Sequence, residues 1–263
     1  MYSNEHLNYI KKLQSEKRTI LIFKISIIIC FLILWEVLSH YKIINTFLFS
    51  SPSLIIKTII GLYKDKNLFN NIWVTSYETL ISFSLATIIG IIIATIMWWN
   101  KKLAKIIDPY LTILNSLPKV SLGPLIIIWA GANIKSIILM AILISIFNTI
   151  ISMYNAFNST DESKIILLKS FNASKWQIYK KLIFRGNIPT LINVFKINVS
   201  MSLIGVIMGE LLVSKQGLGY LITYGSQVFN LNLVLSGIII LAIFSYILYI
   251  IVSKIEKILI KNK

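Results

Sequence analysis

Three glutamates interrupt long apolar runs of this sequence, and they are its first candidates for chemistry. Glu36, Glu78 and Glu210 each stand among predominantly apolar residues. An acid inside a membrane costs about 3 kcal/mol, so it is a functional suspect by default. Glu36 falls near the end of its run, where it can simply reach the interface.

Residues that could support catalysis or metal binding are scattered rather than grouped. His6 and His40 lie far apart, and Cys30 is the single cysteine. No His/Asp/Glu or Ser/Lys group falls at one depth, and no Gly-x-x-x-x-Gly-Lys-Ser/Thr phosphate loop occurs in the chain. We therefore predict no catalytic residue, no metal and no cofactor in this chain. Any work driven by ATP needs a nucleotide bound by another polypeptide.

The composition places these residues in a membrane. The 263 residues are 56% apolar, and 14% are charged, against about 25% in a soluble domain. Lys and Arg number 26 against 10 Asp and Glu, a formal net charge of +16. This is no nucleic-acid footprint, because long uncharged runs such as 231–252 separate the basic residues. The mean hydropathy of +0.78 excludes soluble globular and disordered classes.

Six stretches are long and apolar enough to cross a bilayer as helices, which needs about 20 residues each. We therefore predict an all-α membrane protein with six transmembrane helices. The predicted spans are residues 20–39, 72–99, 110–130, 134–156, 189–213 and 231–252.

The basic residues predict the orientation of these spans. Eighteen of the 26 fall in the N-terminal segment, the second and fourth loops and the C-terminal tail, and six fall in the other loops. Lys119 and Lys196 lie inside spans. Because cytoplasmic loops carry the excess of Lys and Arg, both termini are predicted to be cytoplasmic.

Two of the predicted outer segments are more than simple links between spans. Residues 54–63 are apolar but too short to span, so they should lie along the interface. Residues 214–230 contain Gly217, Gly219 and Gly225, and these glycines favour a re-entrant or tightly folded outer loop. We divide the chain into an N-terminal cytoplasmic segment (1–19), a first span with its outer helix (20–71), a core transmembrane domain (72–253) and a cytoplasmic tail (254–263).

The fourth loop, residues 155–188, carries two helix-capping patterns. Residues 159–162 read Ser-Thr-Asp-Glu, which suits a helix N-terminus, and a short helix can run to Phe171. Asn172 suits the left-handed position after it. Ser174 and Gln177 form a capping box that begins a second short helix. A basic connector lying on lipid headgroups and a docking element for a cytoplasmic partner both fit, and two separately capped helices favour docking.

This loop, from Leu168 to Gln177 and on to Pro189, resembles the EAA loop of ABC importer permeases. The resemblance covers nearly the whole chain and is closest to the nitrate/sulfonate/taurine-type branch. The order and spacing of further motifs carry it: Trp35-Glu36, Pro52-Ser53, Asp108-Pro109, Pro118-Lys119-Val120, Gly123-Pro124-Leu125, Ile128-Trp129, Ile204-Gly205-Val206, Glu210 and Gly217-Leu218-Gly219-Tyr220.

The resemblance implies a type I ABC importer permease fold in a bacterial inner (cytoplasmic) membrane. It implies a homodimer with two ABC ATPase subunits, which bind the ATP, and an extracytoplasmic substrate-binding protein. Sulfonates, nitrate, taurine and thiamine-precursor pyrimidines are the implied solutes. The alternative is a secondary transporter without an ATPase, which would need buried ionisable pairs across internal repeats.

By the same resemblance, the first short helix of the loop inserts into a groove on the ATPase. The sequence departs from the family where Ile166-Leu167-Leu168 replaces Glu-Ala-Ala, where Asn172 replaces Gly and where Arg185 replaces Pro. The contact face would therefore be unusually apolar. The implied coupling residues are Ile166, Leu167, Leu168, Lys169, Ser170, Phe171, Asn172, Ala173, Ser174 and Trp176.

Glu78, Pro118 and Glu210 are the residues we predict for the translocation path. The family often has Arg at the position of Glu78, so by this resemblance a carboxylate there would disfavour an anionic solute and suit a cationic or neutral nitrogen-containing one. The competing interpretation pairs Glu78 with Lys64 or Lys66 at the membrane edge. Pro118 should kink the third span, together with Gly123 and Pro124. Separately, the small pair Gly205-x-x-x-Gly209 predicts a close helix contact, and the resemblance suggests a homodimer interface there.

Overall fold

The computed structural model describes residues 4–261, and the described chain is built from helices joined by short turns. The first three residues of the predicted segment 1–19 and the last two of the predicted tail 254–263 lie outside the described residues. The helices are α1 (Asn4–His40), α2 (Thr46–Phe49), α3 (Pro52–Lys64), α4 (Asn67–Trp99), α5 (Lys101–Ser116), α6 (Gly123–Ala130), α7 (Ile134–Asn158), α8 (Glu162–Ser170), α9 (Lys175–Ile178), α10 (Ile188–Val213), α11 (Leu218–Gln227) and α12 (Leu231–Lys261).

Five helical stretches of the described chain are long and apolar enough to cross a membrane. They contain five of the six predicted spans, in α1, α4, α7, α10 and α12. The described part of the predicted N-terminal segment 1–19 and the first span lie in one helix, because α1 runs unbroken from Asn4 to His40.

The third predicted span, 110–130, is not one kinked helix. Helix α5 ends at Ser116, a 3₁₀ turn follows over Lys119–Leu122, and the direction of the chain changes by 89° before α6. The ring of Pro118 forces Leu117 into an extended conformation, with ψ at 144°, and so ends α5. Helix α6 restarts with Pro124 in its first turn, where a missing N–H costs nothing. Six spans are counted only if this bent pair is taken as one.

Helices α4, α7 and α10 form the packed core, and small residues let their backbones approach closely. A Cβ added to Gly90 of α4 would lie 2.6 Å from Thr149 of α7, and one added to Gly209 of α10 would lie 2.9 Å from the Ile137 Cα. A Cβ added to Gly205 of α10 would likewise be too close to the backbone of Ala141 of α7. The predicted close contact of Gly205 and Gly209 is confirmed. Its partner is α7 of the same chain. This face of α10 is therefore already occupied, and the suggested homodimer interface is not located at this pair.

A polar seam ties the same three helices together inside the core. Asn198 of α10, fully buried, donates to Thr87 of α4 at 3.1 Å and to Thr149 of α7 at 2.5 Å. Ser202 of α10 lies 3.3 Å from the Ser145 hydroxyl of α7. Since lipid offers no hydrogen bonds, such pairs stabilise helix association in a bilayer.

Helix α1 lies at the edge of this bundle, and none of its most apolar stretch is buried inside the chain. Glu36 attaches it to α3, because its carboxylate accepts the Ser53 N–H at 3.0 Å and the Ser53 hydroxyl at 2.7 Å. Ser51 caps the same end of α3. The Glu36 carboxylate therefore places a negative charge at the N-terminus of α3, where negative charge is stabilising. The predicted apolar segment 54–63 lies within α3, which is a helix separate from the first span in α1.

Candidate functional site

The first site region is the loop between α7 and α10, whose first helix begins and ends as its caps require. Asp161 accepts the Ser163 N–H at 2.9 Å at the start of α8. At the other end, Asn172 has a φ of 58°, which confirms its predicted left-handed conformation. The N–H groups of Asn172 and Ala173 donate to the carbonyls of Lys169 and Leu168, at 2.9 and 3.0 Å. This is a Schellman closure, which satisfies carbonyls that a helix end leaves free.

The second helix of the loop has the predicted capping box. Ser174 accepts the Gln177 N–H at 3.3 Å, and the Gln177 side chain accepts the Ser174 N–H at 2.8 Å. Helix α9 then widens into a π-helical turn over Tyr179–Phe184, which the sequence did not predict. Such wide turns are frequent at functional sites.

The predicted coupling residues divide between two faces of the loop. Leu168 and Ala173 pack against a buried cluster that includes Phe157 and Ile183. The remaining members of the set are exposed: Ile166, Leu167, Lys169, Ser170, Phe171, Asn172, Ser174 and Trp176. We call the three exposed apolar side chains Ile166, Leu167 and Phe171 the apolar patch, and their exposed fractions are 60%, 55% and 74%.

Tyr179 anchors the loop to the bundle. Five aromatic rings lie within 6.3 Å of its ring centroid, and its hydroxyl lies 2.7 Å from Thr95 of α4. Burial raises the pKa of this hydroxyl, although the hydrogen bond with Thr95 acts the other way, so it stays neutral. We call this set the aromatic cluster, and its other members are Trp98, Trp99, Phe157, Trp176 and Phe184.

Lys175 adds a cation to the aromatic cluster. Its ammonium group lies 4.9 Å from the Trp99 ring centroid and 5.7 Å from that of Trp98, and it donates to the Trp99 carbonyl. The positive charge therefore meets the negative faces of both rings and the free carbonyl end of α4. The loop is fixed on α4 by both polar and aromatic contacts.

The second site region lies at the opposite end of the core, where Glu210 holds a glycine-rich turn. The Glu210 carboxylate accepts the Thr75 hydroxyl at 2.6 Å and the Gly219 N–H at 2.5 Å. The Thr75 hydroxyl in turn accepts the Leu218 N–H at 2.9 Å, and Asn71 accepts the Gly217 N–H at 2.7 Å. Two side chains of α4 and one of α10 thus bind the backbone of residues 217–219.

Glycine is required at two positions of this turn. Gly217 has a φ of 107°, and a Cβ there would overlap the Glu210 carboxyl group. A Cβ on Gly219 would lie 2.7 Å from the Glu210 Cβ. The predicted tightly folded segment 214–230 is therefore this turn followed by α11, which packs between α10 and α12.

Glu78 of α4 lies beside Glu210, and the two carboxyl groups are within hydrogen-bonding reach of each other. Their exposed fractions are 2% and 1%. The alternative ion pair of Glu78 with Lys64 or Lys66 is not formed: among the described residues, Glu78 has no ion pair, and its side chain is buried inside the core. Pro118 is placed apart, exposed at the bend after α5. The role of the three residues in a translocation path stays a prediction.

Residues 86–261 match a family model described as the binding-protein-dependent transport system inner membrane component. The match spans most of the chain, from the middle of α4 to the end of α12. The chain belongs to this family. This permease is therefore a multi-pass inner-membrane transport protein and not an enzyme.

Curated relatives agree with the family. The permease is 26% identical over 228 residues to the formylaminopyrimidine transport permease protein ThiX of Halalkalibacterium halodurans, covering 87% of this chain and 90% of the relative. It is 26% identical to the putative aliphatic sulfonates transport permease protein SsuC of Bacillus subtilis, covering 80% and 76%. It is 21% identical to the taurine transport system permease protein TauC of Escherichia coli, covering 82% and 81%. The resemblance to this branch of ABC transporter permeases is confirmed.

The fold of the permease is also found in a solved structure. An inward-facing conformation of the MetNI methionine ABC transporter matches with a TM-score of 0.66 at 18% identity, covering 74% of this chain and 96% of the other. The predicted type I importer permease fold is confirmed by this match.

Proposed function

We propose that this permease forms the solute path of an ATP-driven importer and that the loop 155–188 docks the ATPase subunit. The proposed assembly is a homodimer of the permease with two ATPases, which bind the ATP, and an extracytoplasmic substrate-binding protein. In it both termini of the permease are cytoplasmic. Sulfonates, nitrate, taurine and thiamine-precursor pyrimidines are the proposed solutes, and a binding screen on the partner binding protein would separate them.

The observation that carries the docking proposal is the apolar patch. Phe171 is 74% exposed and Ile166 is 60% exposed in a loop rich in lysine, on the side predicted to face the cytoplasm. Full burial of a large apolar side chain contributes about 2 kcal/mol relative to exposure in water. Large apolar side chains exposed this close together in the chain are typical of a protein interaction site. A groove on an ATPase would bury all three side chains.

The inner face of the loop supports a coupling role. Leu168 and Ala173 pack against the core, and the aromatic cluster joins the loop to α4 and α7. A displacement of α8 is therefore transmitted by packed side chains rather than absorbed in a flexible link. The ATPases would close on binding ATP, and the docked loops would carry that movement to the helices that form the path.

The docking proposal is tested by co-purification of the permease with its ATPase. We expect Phe171→Ala to reduce recovered ATPase about tenfold or more, since the lost burial exceeds the roughly 1.4 kcal/mol that corresponds to a factor of ten. Phe229→Ala is the matched control, because Phe229 is also 74% exposed but lies next to α12 at the opposite end. Equal recovery of ATPase with both variants would refute the docking site.

A further inference from the structure

Glu78 and Glu210 are two acidic side chains that meet inside the core of the permease. Both carboxyl groups are almost completely buried, and Glu78 lies one helical turn after Thr75, whose hydroxyl donates to Glu210 at 2.6 Å. The two carboxyl groups are within hydrogen-bonding reach of each other. Two ionised carboxylates have no hydrogen to share, and in a low-dielectric interior they repel each other strongly. A stable contact between them requires one proton.

The surroundings of the pair supply no cation in place of that proton. Among the described residues, no Lys, Arg or His forms an ion pair with either carboxyl group. Lys66 precedes α4, Lys135 lies in the first turn of α7 and Lys215 lies between α10 and the glycine-rich turn. None of these lysines forms an ion pair with Glu78 or Glu210. From α11 the pair meets the N–H of Tyr220.

The donors around the pair determine which carboxyl group is ionised. Glu210 accepts the Thr75 hydroxyl and the Gly219 N–H, so both of its oxygens act as acceptors. Glu78 Oε2 is buried without a hydrogen-bond partner. Negative charge is stabilised where donors converge, so the charge belongs on Glu210 and the proton on Glu78.

We propose that Glu78 and Glu210 form a proton-binding site, in which one proton on Glu78 is donated to the Glu210 carboxylate and holds α4 against α10. Loss of the proton places two unpaired charges in the interior, which the bundle relieves by separating the two helices or admitting water. Thr75 contacts both Glu210 and Leu218, so the glycine-rich turn loosens with them. The protonation state of the pair thereby controls the packing of this end of the permease.

Infrared difference spectroscopy tests for the proton directly, on the purified full-length permease in detergent at about pH 7. We expect the C=O stretching band of a protonated carboxyl group, shifted by D₂O and absent from Glu78→Gln. Glu162→Gln is the control, because Glu162 is exposed in the loop and its substitution should leave the band unchanged. The proposal is overturned if the wild-type permease lacks the band or if Glu78→Gln retains it.

Thermal unfolding as a function of pH tests the consequence for stability. The proton is bound in the folded state, so its stabilisation is present at low pH and lost as the pH rises. We expect the wild-type midpoint to fall by about 5 °C or more between about pH 6 and pH 9, and that of Glu78→Gln to fall much less. The Gln amide keeps a donor toward Glu210, so this variant folds. Glu210→Gln removes an acceptor from the turn, so it should lower the midpoint at every pH.

The same titration separates a proton from a metal ion. At about pH 9 the wild-type midpoint should be equal in sodium chloride and choline chloride of the same ionic strength. A midpoint raised by sodium in the wild type but not in Glu78→Gln would show that the pair binds a metal cation, and the proton-binding proposal would be overturned.

Discussion

Tyr179 should determine whether movement of the docked loop reaches the membrane helices. Tyr179→Ala removes a largely buried ring that meets five others and the hydrogen bond with Thr95. Truncation of a buried aromatic side chain to Ala costs about 4 kcal/mol in folding free energy. Tyr179→Phe removes the hydroxyl alone, at about 1 kcal/mol, and Thr95 keeps its bond to the Ile91 carbonyl at 2.8 Å. The two variants therefore separate the ring from its hydrogen bond.

The assay is solute uptake per ATP hydrolysed, measured in proteoliposomes with the ATPase and the binding protein. We expect Tyr179→Ala to lower this ratio about tenfold while the ATPase still co-purifies, because the apolar patch is intact and only its anchor is lost. Tyr179→Phe should stay within about threefold of the wild type. Tyr224→Ala, at the opposite end, is the control. A wild-type ratio for Tyr179→Ala would refute the role of the aromatic cluster, and so would equal losses for the Ala and Phe variants.

Three further substitutions test other contacts. Gly217→Ala should lower the unfolding free energy by about 2 kcal/mol, because φ is 107° and the Glu210 carboxyl group occupies the space that the new methyl group needs. Gly61→Ala is the control, because the space around Gly61 is open and its unfolding free energy should not fall. Thermal unfolding measures both. Glu36→Gln should weaken the attachment of α1 to α3 by about 1 kcal/mol, measured as faster hydrogen exchange at Ser53. Glu78→Gln should change uptake or substrate range if Glu78 contacts the solute, and unchanged transport would refute its place in the path.

The features that the sequence predicted well are those with a local cause. Most of the spans, the helix start within residues 159–162, the cap at Ser174 and the left-handed Asn172 follow from hydropathy and from side chains that bond to nearby backbone. The close contact of Gly205 and Gly209 was also predictable, but its partner was not. Spacing identifies a face of a helix without identifying the helix that packs against it.

The features that the sequence missed depend on residues distant in the chain. Glu210 lies 135 residues from Thr75, and nothing local indicates that its carboxylate would hold residues 217–219. The 89° turn near Pro118 was predicted as a kink, because a proline predicts a break without its angle. The spacing of Trp176, Tyr179 and Ile183 predicts that they share one face of their helix, but the aromatic cluster around Tyr179 appears only when α4 and α7 lie beside it.

Cross-linking from two adjacent residues of α8 tests the docking proposal most directly. Leu167 is 55% exposed, whereas Leu168 packs against the core, so the two differ in the direction they face. In a background with Cys30→Ser, a photoreactive cross-linker on Leu167→Cys should capture the ATPase subunit, and the same group on Leu168→Cys should not. Capture from Leu168→Cys alone, or from neither position in an active transporter, would contradict the proposal.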